Sequence, residues 1–252
     1  MRLISSSLAL LIVAMTSTAF LVADIIVVPH VIVGADDVFT YRTQFHIFNL
    51  TADQMINGKI EILQNGGYPL PCFATHMPVV PAVNLKTFSL GGRSELTIQN
   101  DSFGGFMAGW ARIESSEQIE VIVTLQAQAR GSYPYVATST SLIPSPLGTQ
   151  FTGYALVSSS ASTGLAILNP SETETANLTL ILRSKSGTLI GARTLDLGPE
   201  QKLAQFLWEN NLFDQVPQIE GTLEITSNVP IALTVIRVDN LYWSAFPAFG
   251  GQ

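Results

Sequence analysis

Apolar and polar residues alternate along most of this chain. Over 119–128, Ile119, Val121, Val123, Leu125 and Ala127 fall on one face, and Glu120, Thr124, Gln126 and Gln128 on the other. That two-residue period is the signature of a half-buried strand. The stretch 177–183 repeats it with Leu178, Leu180 and Leu182 inward, and 231–235 with Ile231, Leu233 and Val235 inward. Further strands are predicted at 39–48, 58–63, 88–98, 107–114, 164–168, 191–197 and 222–226. Turn chemistry separates them: Asn65-Gly66-Gly67, Gly91-Gly92, Ser186-Gly187, and Asn228 before Val229-Pro230. Short strands at this spacing predict a β-sandwich. One segment departs from the pattern. Pro199 suits a first helical position and Leu203, Phe206 and Leu207 share a helical face, so 198–213 is expected to form one short helix.

The chain also repeats itself. Residues 109–123 lie over 221–235 without a gap, at a constant offset of 112 (221 − 109, 231 − 119). Asn49-Leu50-Thr51 matches Asn169-Pro170-Ser171, and Leu90-Gly91 matches Leu197-Gly198. The separation from Asn to Leu-Gly is 41 residues in the first copy (90 − 49) and 28 in the second (197 − 169), which places an insertion at 66–84. The expected architecture is therefore all-β: two tandem immunoglobulin-like β-sandwich modules from an internal duplication, over 24–130 and 147–252. A connector containing Pro134, Pro144 and Pro146 joins them over 131–146.

The phrases at 45–51, 109–115, 164–171 and 221–227 resemble a duplicated module of secreted bacterial proteins of unassigned function. The resemblance covers nearly all of the chain after its N-terminal segment. It implies immunoglobulin-like sandwiches in an extracytoplasmic setting and brings no catalytic residues with it.

The N-terminal segment agrees with that setting. Arg2, the apolar run 8–15 and the small residues 16–19 have the three regions of a secretory signal peptide, with cleavage after Ala19, or alternatively after Ala23. An uncleaved anchor is the other reading of this run. Only 12% of residues are charged, against about 25% in ordinary soluble domains, so Ser, Thr, Asn, Gln and Gly must cover much of the surface. The net charge of −7 argues against a nucleic-acid partner, which needs a basic surface. The single cysteine, Cys72, rules out an intramolecular disulfide, so core burial must hold the fold.

Candidate chemistry is sparse. No Gly-x-Ser-x-Gly occurs, and the three histidines are His30, His46 and His76. His46 alternates with Phe45 and Ile47 and is expected on the outer face of its strand; His30, after Pro29, is expected to be exposed or at an edge. Cys72 and His76 supply two soft ligands where a structural zinc site takes four, and Asp36-Asp37 and Asp239-Asn240 are short of a calcium set, so no metal or cofactor is expected. Trp110, Tyr133, Tyr135, Tyr154, Tyr242 and Trp243 could form a sugar-stacking or protein-contact surface, or pack at sheet edges and at a module interface. Trp110, alternating away from Ala111 and Ile113, is the foremost candidate for exposure. With Tyr68, Phe73 and His76 of the insertion, it makes up the candidate contact residues for an extracellular protein or glycan. The expected function is non-enzymatic: surface interaction, adhesion or scaffolding by a secreted, cell-surface or periplasmic protein. A carbohydrate-binding module is the alternative and a hydrolase using Cys72 or a serine the third.

Overall fold

The alternation becomes strands throughout the computed structural model, which describes residues 24–73, 82–101, 104–131, 137–144, 146–209, 212–213, 216, 218–240 and 242–250. The first half of the chain contains β1 (Asp24–Ala35), β2 (Phe39–Asn49), β3 (Ile56–Leu63), β4 (Leu85–Leu90), β5 (Ser94–Gln99), β6 (Met107–Ser115), β7 (Glu120–Ala129) and β8 (Ala137–Leu142). The second contains β9 (Gly148–Val157), β10 (Ala161–Leu168), β11 (Ala176–Ser184), β12 (Leu189–Leu197), β13 (Lys202–Phe206), β14 (Ile219–Asp239), β15 (Tyr242–Phe246) and β16 (Phe249–Gly250).

These strands form two antiparallel eight-stranded sheets, each folded over in the manner of a β-sandwich. In the first, β1 and β2 pair only at Gly34↔Tyr41 and Ala35↔Thr40, so the sheet turns there. The layer β4-β3-β6-β1 then covers the layer β5-β2-β7-β8. Ile60, Ile62 and Ile113 of the one meet Phe45, Ile47, Val121 and Val123 of the other in a dry core. In the second sheet a single strand, β14, does the work of β6 and β7. Its first part pairs with β11 and β9, and its second with β10 and β15. The register shifts between Thr226 and Ile231, around Pro230, whose missing N–H suits a break in the ladder. Strand order therefore runs in parallel in the two halves, β4-β3-β6-β1 beside β12-β11-β14-β9, and β5-β2-β7-β8 beside β13-β10-β14-β15.

The same hydrogen bonds close both halves. Buried Asn49 donates through Nδ2 to the carbonyls of Gln54 (2.7 Å), Leu90 (3.2 Å) and Gly91 (3.0 Å). Buried Asn169 does so to Glu174 (2.7 Å), Leu197 (3.0 Å) and Gly198 (3.0 Å). Beside each amide a non-glycine residue takes a left-handed conformation, Arg93 at φ 51° and Glu200 at φ 54°. The amides of Arg93 and Glu200 donate to the Thr51 carbonyl (2.8 Å) and the Ser171 carbonyl (2.9 Å). Buried Thr43 and Thr163 accept from the Ile32 amide (3.0 Å) and the Leu156 amide (2.9 Å), tying one layer to the other.

Three expectations are corrected. The helix expected over 198–213 is absent among the described residues. Residues 198–201 form a turn, and Lys202–Phe206 pairs with β10 as β13, because an edge of β10 was free to take up its backbone groups. Local helical spacing lost to sheet pairing. The expected connector contains β8, whose register Val123↔Leu142 to Gln128↔Ala137 makes it part of the first sheet. Finally, 88–98 is two strands, β4 and β5, divided at Gly91-Gly92.

Candidate functional site: a cleft between the two halves

The alternation of β6 gives it two faces, and the second half of the chain covers one of them. Ala111 and Ile113 point into the first core. Trp110 points the opposite way, as expected, but it is fully buried: Val27, Leu63 and Trp110 of the first half close on Leu168 and Ala232 of the second. Its indole Nε1–H donates to the Gln64 carbonyl at 2.9 Å. The expectation of an exposed Trp110 is overturned because its sheet face is a seam between halves.

Polar groups lock this seam. The Arg112 guanidinium lies 5.5 Å from the Trp110 ring centre and reaches Glu172 (3.0 Å) and Glu200 (3.4 Å). Lys202 donates through Nζ to the Gly109 carbonyl (2.6 Å), and its amide donates to Asn65 Oδ1 (2.7 Å). Burial pushes the Lys202 ammonium down to about 8. The Gly66 amide donates to the Glu200 carbonyl (2.9 Å). Gly67, at φ 75°, takes the left-handed conformation that favours glycine and lies against the Glu200 carboxylate. At the far side of the seam, the amides of Trp243 and Ala245 in β15 donate to Thr138 Oγ1 (3.2 Å) and Thr140 Oγ1 (2.8 Å) of β8.

The described residues of the insertion include both core and surface. Leu70, Cys72 and Phe73 are buried in the first half; Tyr68 is 70% exposed, and His76 lies outside the described residues. The expectation of Phe73 as a contact residue is therefore corrected, since its ring fills the core. Burial first, and then the Asp101 charge, pushes the Cys72 thiol up to about 12, so it remains protonated at neutral pH. His46 is on the outer face as expected, with Nδ1 at 3.2 Å from Glu95 Oε1 and 3.1 Å from Thr97 Oγ1. Asp36 accepts from the amides of Val38 (2.8 Å) and Phe39 (2.6 Å) and from the Tyr41 hydroxyl (2.7 Å), which hold its carboxyl below the usual range.

Beside the seam opens a cleft of about 310 Å³ with walls from both halves. Its surface is largely apolar: Ile32, Tyr41 and Phe106 from the first half face Leu165, Phe206, Ile236 and Trp243 from the second. Tyr41 and Phe106 meet edge to face at 4.7 Å. Gly164 lies beside the Phe206 ring, where an added Cβ would make only an ordinary contact at 3.5 Å. Comparisons with protein-family models, with curated proteins and with solved structures return no match. The geometry of the cleft is thus the main guide to its chemistry.

Three polar side chains, His30, Gln205 and Glu209, line this apolar space. A bulge in β1 positions His30: between Val28↔Ala111 and Val31↔Gly109, Pro29 and His30 together stand opposite Trp110. His30, expected to be exposed or at an edge, is half-buried, and its Nδ1 has no hydrogen-bond partner among the described residues. Burial first, and the Lys202 charge second, push its imidazole down to about 3, so the ring is neutral at physiological pH. Gln205 of β13 has an Oε1 that is likewise buried and unpartnered. Each orphaned polar atom costs about 1–3 kcal/mol. Glu209 completes the polar lining, with Oε2 accepting the Phe206 amide at 3.2 Å. Neither His30 nor Gln205 stood out in the sequence as a site residue. The usable signal was a proline inside an apolar strand, Pro29, which marks a bulge.

Proposed function

We propose that this chain is a non-enzymatic exported protein acting in surface interaction, adhesion or scaffolding. On this reading its halves are two copies of one immunoglobulin-like module, the kind it resembles in secreted bacterial proteins of unassigned function. The matching clamps at Asn49 and Asn169, with Arg93 and Glu200 in matching left-handed turns, support common descent of the halves. The observation that carries the functional reading is the apolar cleft between two halves that pack on each other. Its walls are mainly apolar, as in ligand sites, its imidazole is neutral and buried at Nδ1, and the one thiol is buried and protonated.

Two measurements test it. Mass spectrometry of the protein recovered from the culture medium or cell envelope is expected to find an N-terminus after residue 19 or 23. A screen of the purified mature chain against ester, peptide and glycoside substrates is expected to show no turnover above a heat-treated control. Retention in the cytoplasm with an intact N-terminus, or turnover, overturns the reading.

One observation favours carbohydrate binding as a second reading. Trp208 is 51% exposed and stacks on Phe206 with the planes 8° apart, a flat aromatic platform of the kind sugars bind. Loss of glycan-array signal in Trp208→Ala would support that reading, and a silent array removes it.

A further inference from the structure

We propose that the cleft between the halves binds a small, uncharged, mainly apolar molecule that carries one hydroxyl group. The proposal rests on the reading of this chain as a binding protein and names the chemistry of what it takes up. The volume of about 310 Å³ is near the lower end of ligand sites, which run from about 300 to 1,000 Å³, and suits a compact single-ring molecule better than a peptide or glycan chain. Aromatic rings from both halves, Tyr41, Phe106, Phe206 and Trp243, give such a ring flat and edge contacts.

The polar requirement comes from the unpartnered atoms of the lining. Gln205 Oε1 can accept a hydrogen bond and finds none among the described residues. His30 Nδ1 accepts or donates according to tautomer, and also finds none. Both atoms are buried in the ligand-free chain, on side chains that line the cleft, so pairing with a ligand requires a turn of the terminal amide or of the ring. A hydroxyl satisfies either one: it donates to Gln205 Oε1, and donates to or accepts from His30 Nδ1. Charge is disfavoured from both directions. A charge of either sign loses its hydration against the largely apolar walls, and an anion in addition meets the Glu209 carboxylate.

The test titrates the whole chain with 4-propylphenol, propylbenzene, 4-propylbenzylamine and 4-propylbenzoate. Saturation-transfer NMR and quenching of tryptophan fluorescence, to which Trp243 in the cleft wall responds, report binding. The phenol is expected to saturate with a Kd of about 10 µM to 1 mM, the range open to a ligand of this size. Ala204→Trp, at an exposed position on the cleft wall, should weaken it at least about ten-fold while leaving the circular dichroism unchanged. Gln205→Leu should weaken the phenol about three- to ten-fold and leave propylbenzene unaffected, a pattern that a general loss of folding does not produce. The amine and the benzoate should bind at least about ten-fold more weakly than the phenol. The proposal is overturned by absence of saturation with the phenol, by saturation that Ala204→Trp leaves unchanged, or by a charged analogue binding as tightly. Surface attachment shared by the native chain and Ala204→Trp, with no phenol uptake, sinks the cleft proposal alone; enzymatic turnover sinks the binding-protein reading alone.

Discussion

The corner around Asn49 and the corner around Asn169 have nearly the same geometry and opposite surroundings. In each, one buried amide holds three carbonyls, and one left-handed residue returns a hydrogen bond to the loop after β2 or β10. In the first, that residue is Arg93, and it is exposed. In the second it is Glu200, whose carboxylate meets Arg112 and whose carbonyl takes the Gly66 amide across the seam. The shared atoms are those that close a sandwich; the differing atoms are those that join one half to the other. The β1 bulge follows the same logic. The corresponding stretch of β9 pairs Gly153, Tyr154 and Ala155 with Leu223, Thr222 and Gly221 without a shift, so only the first half positions a residue like His30 at a cleft.

Substitutions separate the contacts the two corners share from those that join the halves. The largest effect is expected at the seam: Trp110→Ala should destabilise the chain by about 3–5 kcal/mol in urea denaturation, since it empties a fully buried site and removes a hydrogen bond. Trp208→Ala, at a half-exposed platform, should change stability by about 0.5 kcal/mol or less. Equal effects at the two tryptophans would mean that the seam opens in solution. Next come Asn49→Ala and Asn169→Ala. Each leaves buried carbonyls without a donor and should cost about 2–3 kcal/mol, with the two values within about 1 kcal/mol of each other. A large inequality would break the equivalence of the corners.

Alternation in the sequence announced most of this sandwich. Ile119, Val121, Val123, Leu125 and Ala127 are all buried, because a period of two is a local property that the sheet preserves. The position of Trp110 was half legible. Its orientation away from Ala111 and Ile113 followed from alternation, but what covers that face depends on a half of the chain more than fifty residues further on. The strand at Lys202–Phe206 failed for a related reason. Leu203, Phe206 and Leu207 have helical spacing, and only the open edge of β10 decides for a strand. The cleft was hidden altogether, since its walls come from both halves and its polar atoms are defined by partners they lack.

A smaller effect is expected from His30. Unfolded, its imidazole takes up a proton near pH 6.5; folded, it does so only near 3. Between those values the unfolded chain holds more protons, so this group lowers stability as pH falls through the window and has no effect above it. Lowering pH from 6.5 to 5 should cost about 1–2 kcal/mol more in the native chain than in His30→Phe, measured by urea denaturation at each pH. Identical pH profiles would place His30 in solvent. The smallest difference should separate the two turn residues: Glu200→Gln is expected to cost about 0.5–1 kcal/mol and Arg93→Gln less than about 0.5, because only Glu200 pairs across the seam.

On this reading the two halves form one body, locked through Trp110, with the cleft as its product. Amide hydrogen exchange measured by mass spectrometry through a urea series tests this, with β6 reporting on the first half and β11 on the second. Both strands are expected to lose protection at one urea concentration in the native chain and at two in Trp110→Ala. Two separate transitions in the native chain, left unmoved by Trp110→Ala, would contradict it.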